Sequence, residues 1–237
     1  MFKEQILDNK YLVNIIRWIL IIVTPLFLTV FMEQLIISWN SPSYPEWEYG
    51  RIALDQFGFT PEERQELAEA TLAYLRHPDP AEKSIRLLEE LRLPGTDNPL
   101  YNEAEIGHMI DVKVVSDQFK QAMWLFFLIL AAGYIFLFAR PSTRPAGAKT
   151  VMQSGIFTVV AVFLVMLFIG VGWSLFFTLF HEIFFAAGTW TFRYTDSLIR
   201  LFPEQFWFDI ALIWTGGILV LGGILALIGY GLQKYLS

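Results

Sequence analysis

Val151-Met-Gln-Ser-Gly-Ile-Phe-Thr-Val-Val-Ala-Val-Phe-Leu-Val-Met-Leu-Phe-Ile-Gly-Val-Gly-Trp-Ser-Leu-Phe-Phe-Thr-Leu-Phe180 runs for thirty residues without an Asp, Glu, Lys or Arg, and ends against His181-Glu-Ile-Phe-Phe185. As a helix it spans about 45 Å, against a hydrocarbon core of roughly 30 Å. Three further stretches meet the length and polarity of a membrane span: Trp18 to Ile37, Ala122 to Ala139 and Ile210 to Tyr230. Composition agrees, since 55% of the 237 residues are hydrophobic and 17% charged, with a mean hydropathy of +0.47. That is too apolar for a soluble domain. The expected fold is an all-α membrane protein, four transmembrane helices carrying a small extracytoplasmic helical cap.

Cations set the expected orientation. The link between spans two and three holds Arg140, Arg144 and Lys149 with no acid, and Lys3, Lys10, Arg17 and Lys234 lie near the two ends. By the positive-inside rule these are cytoplasmic, which leaves Asn40 to Gln118 outside. There sixteen acids stand against seven bases, a net of −9. Such acidity excludes nucleic acid as a partner. Trp39, Trp124 and Trp207 fall at the outer boundary, as an aromatic belt requires. The basic start resembles a signal peptide, but the apolar run is long and no Ala-x-Ala-like site follows in Ser38-Trp-Asn-Ser-Pro-Ser43, so a retained anchor is expected. The chain thus divides into residues 1–39 (anchor and first span), 40–118 (the cap) and 119–237 (spans two to four), with an outer interfacial loop at 181–209.

The cap shows three helix starts, Thr60 before Glu63, Asp79 before Glu82 and Asn102 before Glu105, each an acceptor three residues ahead of a carboxylate. The first helix runs to Arg76 and stops before Pro78; the second carries Ile85, Leu88 and Leu91 on one stripe and stops at Pro94-Gly95. The third runs from Glu103 into span two with no proline to break it. His108 then stands fourteen residues, about 20 Å, above Ala122, and the surplus length of span three lifts His181 to a comparable height. Gly222 and Ala226 give span four a small-xxx-small spacing suited to close helix packing.

Cysteine is absent, which excludes disulfides, thiolate metal sites, sulfur nucleophiles and cysteine lipidation. No Gly-x-Ser-x-Gly elbow is present, and His181-Glu182 lacks the second histidine of a metalloprotease helix. Imidazole titrates near neutral pH, so His108 and His181 are the candidate proton-transfer groups. Asp111 lies three residues beyond His108 and can orient it, although the same pair fits an ordinary solvated helix. In the loop, Asp196 or Glu204 can orient His181 while Arg193 holds developing negative charge; an interfacial amphipathic segment is the plainer reading. His77, at a helix end, reads as structural.

In order and spacing, His-Met-x-Asp-Val-Lys (His108 to Lys113), Phe-His-x-x-Phe-Phe (Phe180 to Phe185), Trp190 and Thr-Asp-x-Leu-Ile-x-Leu-x-Pro-Glu-x-Phe (Thr195 to Phe206) resemble the bacterial lipoprotein intramolecular transacylases, the Lit family. The resemblance spans nearly the whole chain and departs at Arg193-Tyr194, where an Asp-Pro pair is expected. It implies an acyltransferase that moves the sn-2 acyl chain of a diacylglyceryl lipoprotein onto that protein's own N-terminal cysteine amine. The partners implied are this lipoprotein and membrane lipid, and no metal, nucleotide or other cofactor is required. The motifs carry over His108 and His181 alone as candidate catalytic residues; Asp111 and Asp196 are assigned as orienting groups from the residues themselves, and Arg193, Trp190 and Glu204 complete the supporting set. A lipid hydrolase using the same pair, and a non-catalytic binding protein, are the alternatives.

Overall fold

The computed structural model describes residues 10–39 and 44–236. Lys3 and residues 40–43, on which the retained-anchor expectation partly rests, lie outside them. In chain order the helices are α1 (Lys10–Ile37), α2 (Tyr44–Tyr49), α3 (Pro61–Arg76), α4 (Ala81–Ser84), α5 (Arg86–Glu89), α6 (Glu103–Phe138), α7 (Arg144–Phe184), α8 (Ser197–Leu201) and α9 (Glu204–Leu236). Among the described residues the only β pairing is an isolated bridge between Arg92 and Pro99. Four helices, α1, α6, α7 and α9, are long and apolar enough to cross a membrane. The chain packs as two compact units, which the long helices pass through in turn.

The first unit holds residues 10–33, 120–170 and 212–236. Its apolar contacts gather in two clusters, Leu20 with Leu130 and Leu137, and Leu28 with Val162 and Ile218. The glycines mark where backbones touch. A Cβ on Gly155 would strike the backbones of Gly222 and Ala226, and one on Gly229 would strike that of Met152. The small-residue spacing in span four does serve close packing, against α7. Polar groups in this unit find partners: Arg17 donates through Nε to Thr150 Oγ1 at 3.1 Å and through Nη2 to Gln153 Oε1 at 2.9 Å, and Trp214 Nε1 donates to the Thr29 carbonyl at 2.9 Å. An unpaired donor there would be costly.

The second unit holds residues 34–39, 44–119 and 171–211. Thr60 and Glu63 form the expected reciprocal cap on α3, and Asn102 and Glu105 form another on α6. The Asp79 start is corrected. Pro80 takes the cap position with no side-chain hydrogen bond, the Asp79 N–H donates to His77 Nδ1, and the expected single helix is two short ones, α4 and α5. His77 is the C-cap of α3, as its structural reading required. Lys113 completes that end: fully buried, it donates from Nζ to the His77 carbonyl at 2.9 Å, a cation where helix carbonyls gather.

Tyrosine hydroxyls tie the second unit together. Tyr74 donates to the Met109 carbonyl at 3.1 Å, Tyr49 to Leu201 at 2.6 Å and Tyr44 to Phe206 at 3.0 Å. Arg200 pairs with Asp55 at 2.9 Å, and Arg64 donates to the Arg200 carbonyl at 3.0 Å. The bonds from Tyr49 and Arg64 fasten α8 to α2 and α3. Helix α6 runs unbroken from Glu103 to Phe138, whereas α7 loses helical geometry at Gly172, a residue type that commonly marks kinks.

Candidate active site

The second unit brings together the two histidines that the sequence separates. His108, on the first part of α6, and His181, in the last turn of α7, stack with ring centroids 6.3 Å apart and planes inclined by 23°. His108 is 7% exposed. Aromatic rings enclose the pair: Phe185 lies 5.0 Å from His108 and 5.5 Å from His181, Phe192 lies 5.4 Å from His108, and Phe177 and Trp190 lie 4.1 and 4.8 Å from His181. Apolar walls keep water scarce, so a charge or dipole placed here acts more strongly than it would in solvent.

Hydrogen bonding distinguishes the rings. His181 Nδ1 stands 2.7 Å from the carbonyl oxygen of Phe177, one helical turn back. A carbonyl only accepts, so Nδ1 carries a proton, and in the neutral ring Nε2 holds the lone pair. His108 has its Nδ1 buried without a partner, as is Nε1 of Trp190. The site therefore presents one imidazole anchored by the backbone and one held by packing.

The supporting acids are not where the sequence put them. Asp111 makes no hydrogen bond to His108, whose ring turns into the aromatic cage rather than along its own helix. Asp196 does not orient His181. Its Oδ2 accepts from the Arg193 backbone N–H at 2.8 Å and its Oδ1 pairs with the Arg193 guanidinium at 3.0 Å, while the Phe177 carbonyl takes the histidine's Nδ1. The Arg193 side chain is 81% exposed, which leaves it pinning the loop rather than facing the rings. Glu204 stands exposed in the first turn of α9, where a carboxylate suits the helix dipole. Of the five supporting residues, only Trp190 touches a histidine ring.

Glu105 is the group that sequence reasoning underused. Beyond its cap bond, in which Oε2 accepts from the Asn102 N–H, its Oε1 accepts from the Leu198 N–H at 2.7 Å. One carboxylate thus fastens the start of α8 to α6, three residues before His108. Ninety-three residues separate its ends, so no local spacing announces it. Phe192 carries no signal either, since its place depends on how the loop folds back. Among the described residues no group of three or more His, Asp or Glu gathers where it could hold a metal ion.

Comparison with known proteins gives the family and the fold. The family model described as lipoprotein intramolecular transacylase Lit matches residues 17–207. A protein of Aquifex aeolicus (strain VF5), described as uncharacterized, is 30% identical over 175 residues, covering 71% of this chain and 73% of its own. The in meso structure of the membrane integral Lit from Bacillus cereus superposes with a TM-score of 0.71 at 21% identity, covering 96% of this chain and 97% of that one. A variant of that protein with one histidine replaced by alanine gives 0.70 at 20% identity, covering 95% and 94%. The family match extends over four-fifths of the sequence and takes in both histidines, so this integral membrane chain belongs to the lipoprotein intramolecular transacylase family, Lit, and is an acyltransferase.

Proposed function

We propose that the chain moves the sn-2 acyl group of a diacylglyceryl lipoprotein onto the α-amine of that lipoprotein's N-terminal cysteine, with His108 and His181 handling the protons, on the extracytoplasmic face of the cell membrane. The observation that carries this reading is the stacked pair itself, two imidazoles 6.3 Å apart in an aromatic cage, with Nε2 of His181 left available by the Phe177 carbonyl. Donor and acceptor belong to one substrate, so proximity removes much of the barrier. Proton management is what remains. An α-amine with a pKa of about 7.7 to 8.0 is largely protonated at neutral pH and sheds protons as it bonds to carbon. The amine nitrogen attacks the ester carbonyl, the C–N bond forms, the C–O bond to glycerol breaks, and the proton lost by nitrogen is matched by one gained on the glycerol oxygen. One histidine takes the first proton and the other serves the leaving oxygen.

The product is an isomer of the substrate, so its intact mass is unchanged and the acyl position must be read by fragmentation. Incubating the purified chain with a synthetic diacylglyceryl lipopeptide should convert the free amine into an amide at constant mass. A hydrolase would instead release a fatty acid. His108→Ala and His181→Ala should each lower the rate by about 100-fold or more, the scale of general acid–base catalysis, while each variant still melts cooperatively as a folded protein. Full activity in both variants would remove the histidines from the chemistry.

A further inference from the structure

A cavity of about 280 Å³ opens at the start of α6, one helical turn before His108; Asn102, Glu105, Thr195, Asp196 and Ser197 are among its lining residues. Both of its walls are continuous with walls of the histidine site. On α6, Glu105 and His108 are three residues apart and share a face, with Glu105 about 4.5 Å farther from the apolar run of the helix. On the loop, Phe192 touches His108 and residues 195–197 line the cavity. The Glu105 to Leu198 bond joins the two walls.

The cavity differs from the histidine cage in chemistry. Rings line the cage, whereas the cavity sets hydroxyl, amide and carboxylate groups beside Pro99, Leu100 and Tyr101. Thr195 and Ser197 form no side-chain hydrogen bond among the described residues, although Ser197 is only 6% exposed. Asn102 uses its carbonyl oxygen on the Glu105 N–H, which leaves its amide hydrogens for another acceptor. Uncommitted hydroxyls and amide hydrogens together supply both donors and acceptors, as the alternating N–H and C=O groups of an extended peptide require.

A lipoprotein demands such a division. Its acyl chains stay in the membrane while its polypeptide leaves toward water, so the peptide must pass the histidines on the side away from the apolar run of α6. Resting on the transacylase reading, we infer that this cavity is the subsite for the first residues of the lipoprotein that follow the acylated cysteine, held through their main-chain groups by Thr195, Ser197 and Asn102. An extended chain advances about 3.3 to 3.6 Å per residue, so the second and third residues reach it from a cysteine at the histidines. The subsite determines which substrate is held, and it takes no part in bond making.

The test compares two substrates of the full-length chain reconstituted in lipid vesicles: diacylglyceryl-cysteine amide, which has no peptide, and the same lipid on Cys-Ser-Gly-Lys. The wild type should favour the tetrapeptide in kcat/KM by about five- to tenfold, the worth of one or two hydrogen bonds, chiefly through KM. Thr195→Trp, which fills the cavity from an exposed loop position, and Ser197→Ala, which removes one hydroxyl, should each bring that preference toward one. A wild type without the preference, or variants that keep it, would overturn the subsite while leaving the transacylase reading intact. A wild type that isomerises neither substrate would overturn both.

Discussion

Glu105 joins two distant segments with a single carboxylate, one oxygen taking the Asn102 N–H and the other the Leu198 N–H. Both partners are donors, so the residue needs two acceptors, which an amide cannot supply. Glu105→Gln would set an NH2 group against an N–H. We expect about 1–3 kcal/mol of lost stability, read by thermal melting, and a lower kcat because Phe192 is no longer pressed against His108. Glu48 makes a different case. Both its oxygens are buried, and burial, followed by the neighbouring Asp209 carboxylate, raises it from 4.5 to about 7 against smaller opposing effects of Arg51 and Tyr44. A carboxyl raised in the folded state holds its proton more tightly there than in the unfolded chain, so it favours folding at low pH. That advantage is lost as pH rises from about 4.5 through 7. Glu48→Gln should therefore melt close to the wild type at pH 5 and above it at pH 8, by a few degrees, at about 2–4 °C per kcal/mol for a chain of this size. A gap that is the same at both pH values would contradict the assignment.

Helices α7 and α9 meet through glycine, and their separation is fixed by what those positions lack. Adding a methyl at Gly155 drives it into the backbones of Gly222 and Ala226, neither of which can turn aside as a flexible side chain could. Gly155→Ala should cost about 1–3 kcal/mol as overpacking, whereas Gly223→Ala, with open space at its Cβ, should be nearly silent. Thermal melting of the two variants in the same detergent separates these outcomes. Features of this kind were legible in the sequence because they are local: a run of apolar residues, a glycine spacing, Thr60 three residues before Glu63. The unbroken α6 and the overlong α7 followed from length alone, and with them the expectation that His108 and His181 stand at similar height. What the sequence concealed depends on choices between partners far apart in the chain. Asp196 had Arg193 three residues away and paired with it. His181 found a carbonyl in its own helix before any carboxylate. The ring of Phe192 reaches the site because a loop fastened by Glu105 folds back over α6, whereas Phe185 reaches it locally, one turn after His181 at the end of α7.

At the scale of the whole chain, the proposed chemistry requires the histidines to face the side from which lipoproteins extend, and charge asymmetry supports that orientation. Arg140 and Arg144 stand at the turn between α6 and α7, while the segment carrying α2 to α5 is strongly acidic. The native chain has no cysteine, so single cysteines report topology without background. Asp97→Cys, in the exposed turn before α6, should react with a membrane-impermeant maleimide in intact cells, and Ser142→Cys only after the membrane is opened. Thr195→Cys, beside the histidine site, should label with Asp97→Cys. The reverse pattern would place the imidazoles on the cytoplasmic side, where a translocated lipoprotein's amine and ester never meet them, and would refute the assigned reaction even if both histidines proved essential for some other activity.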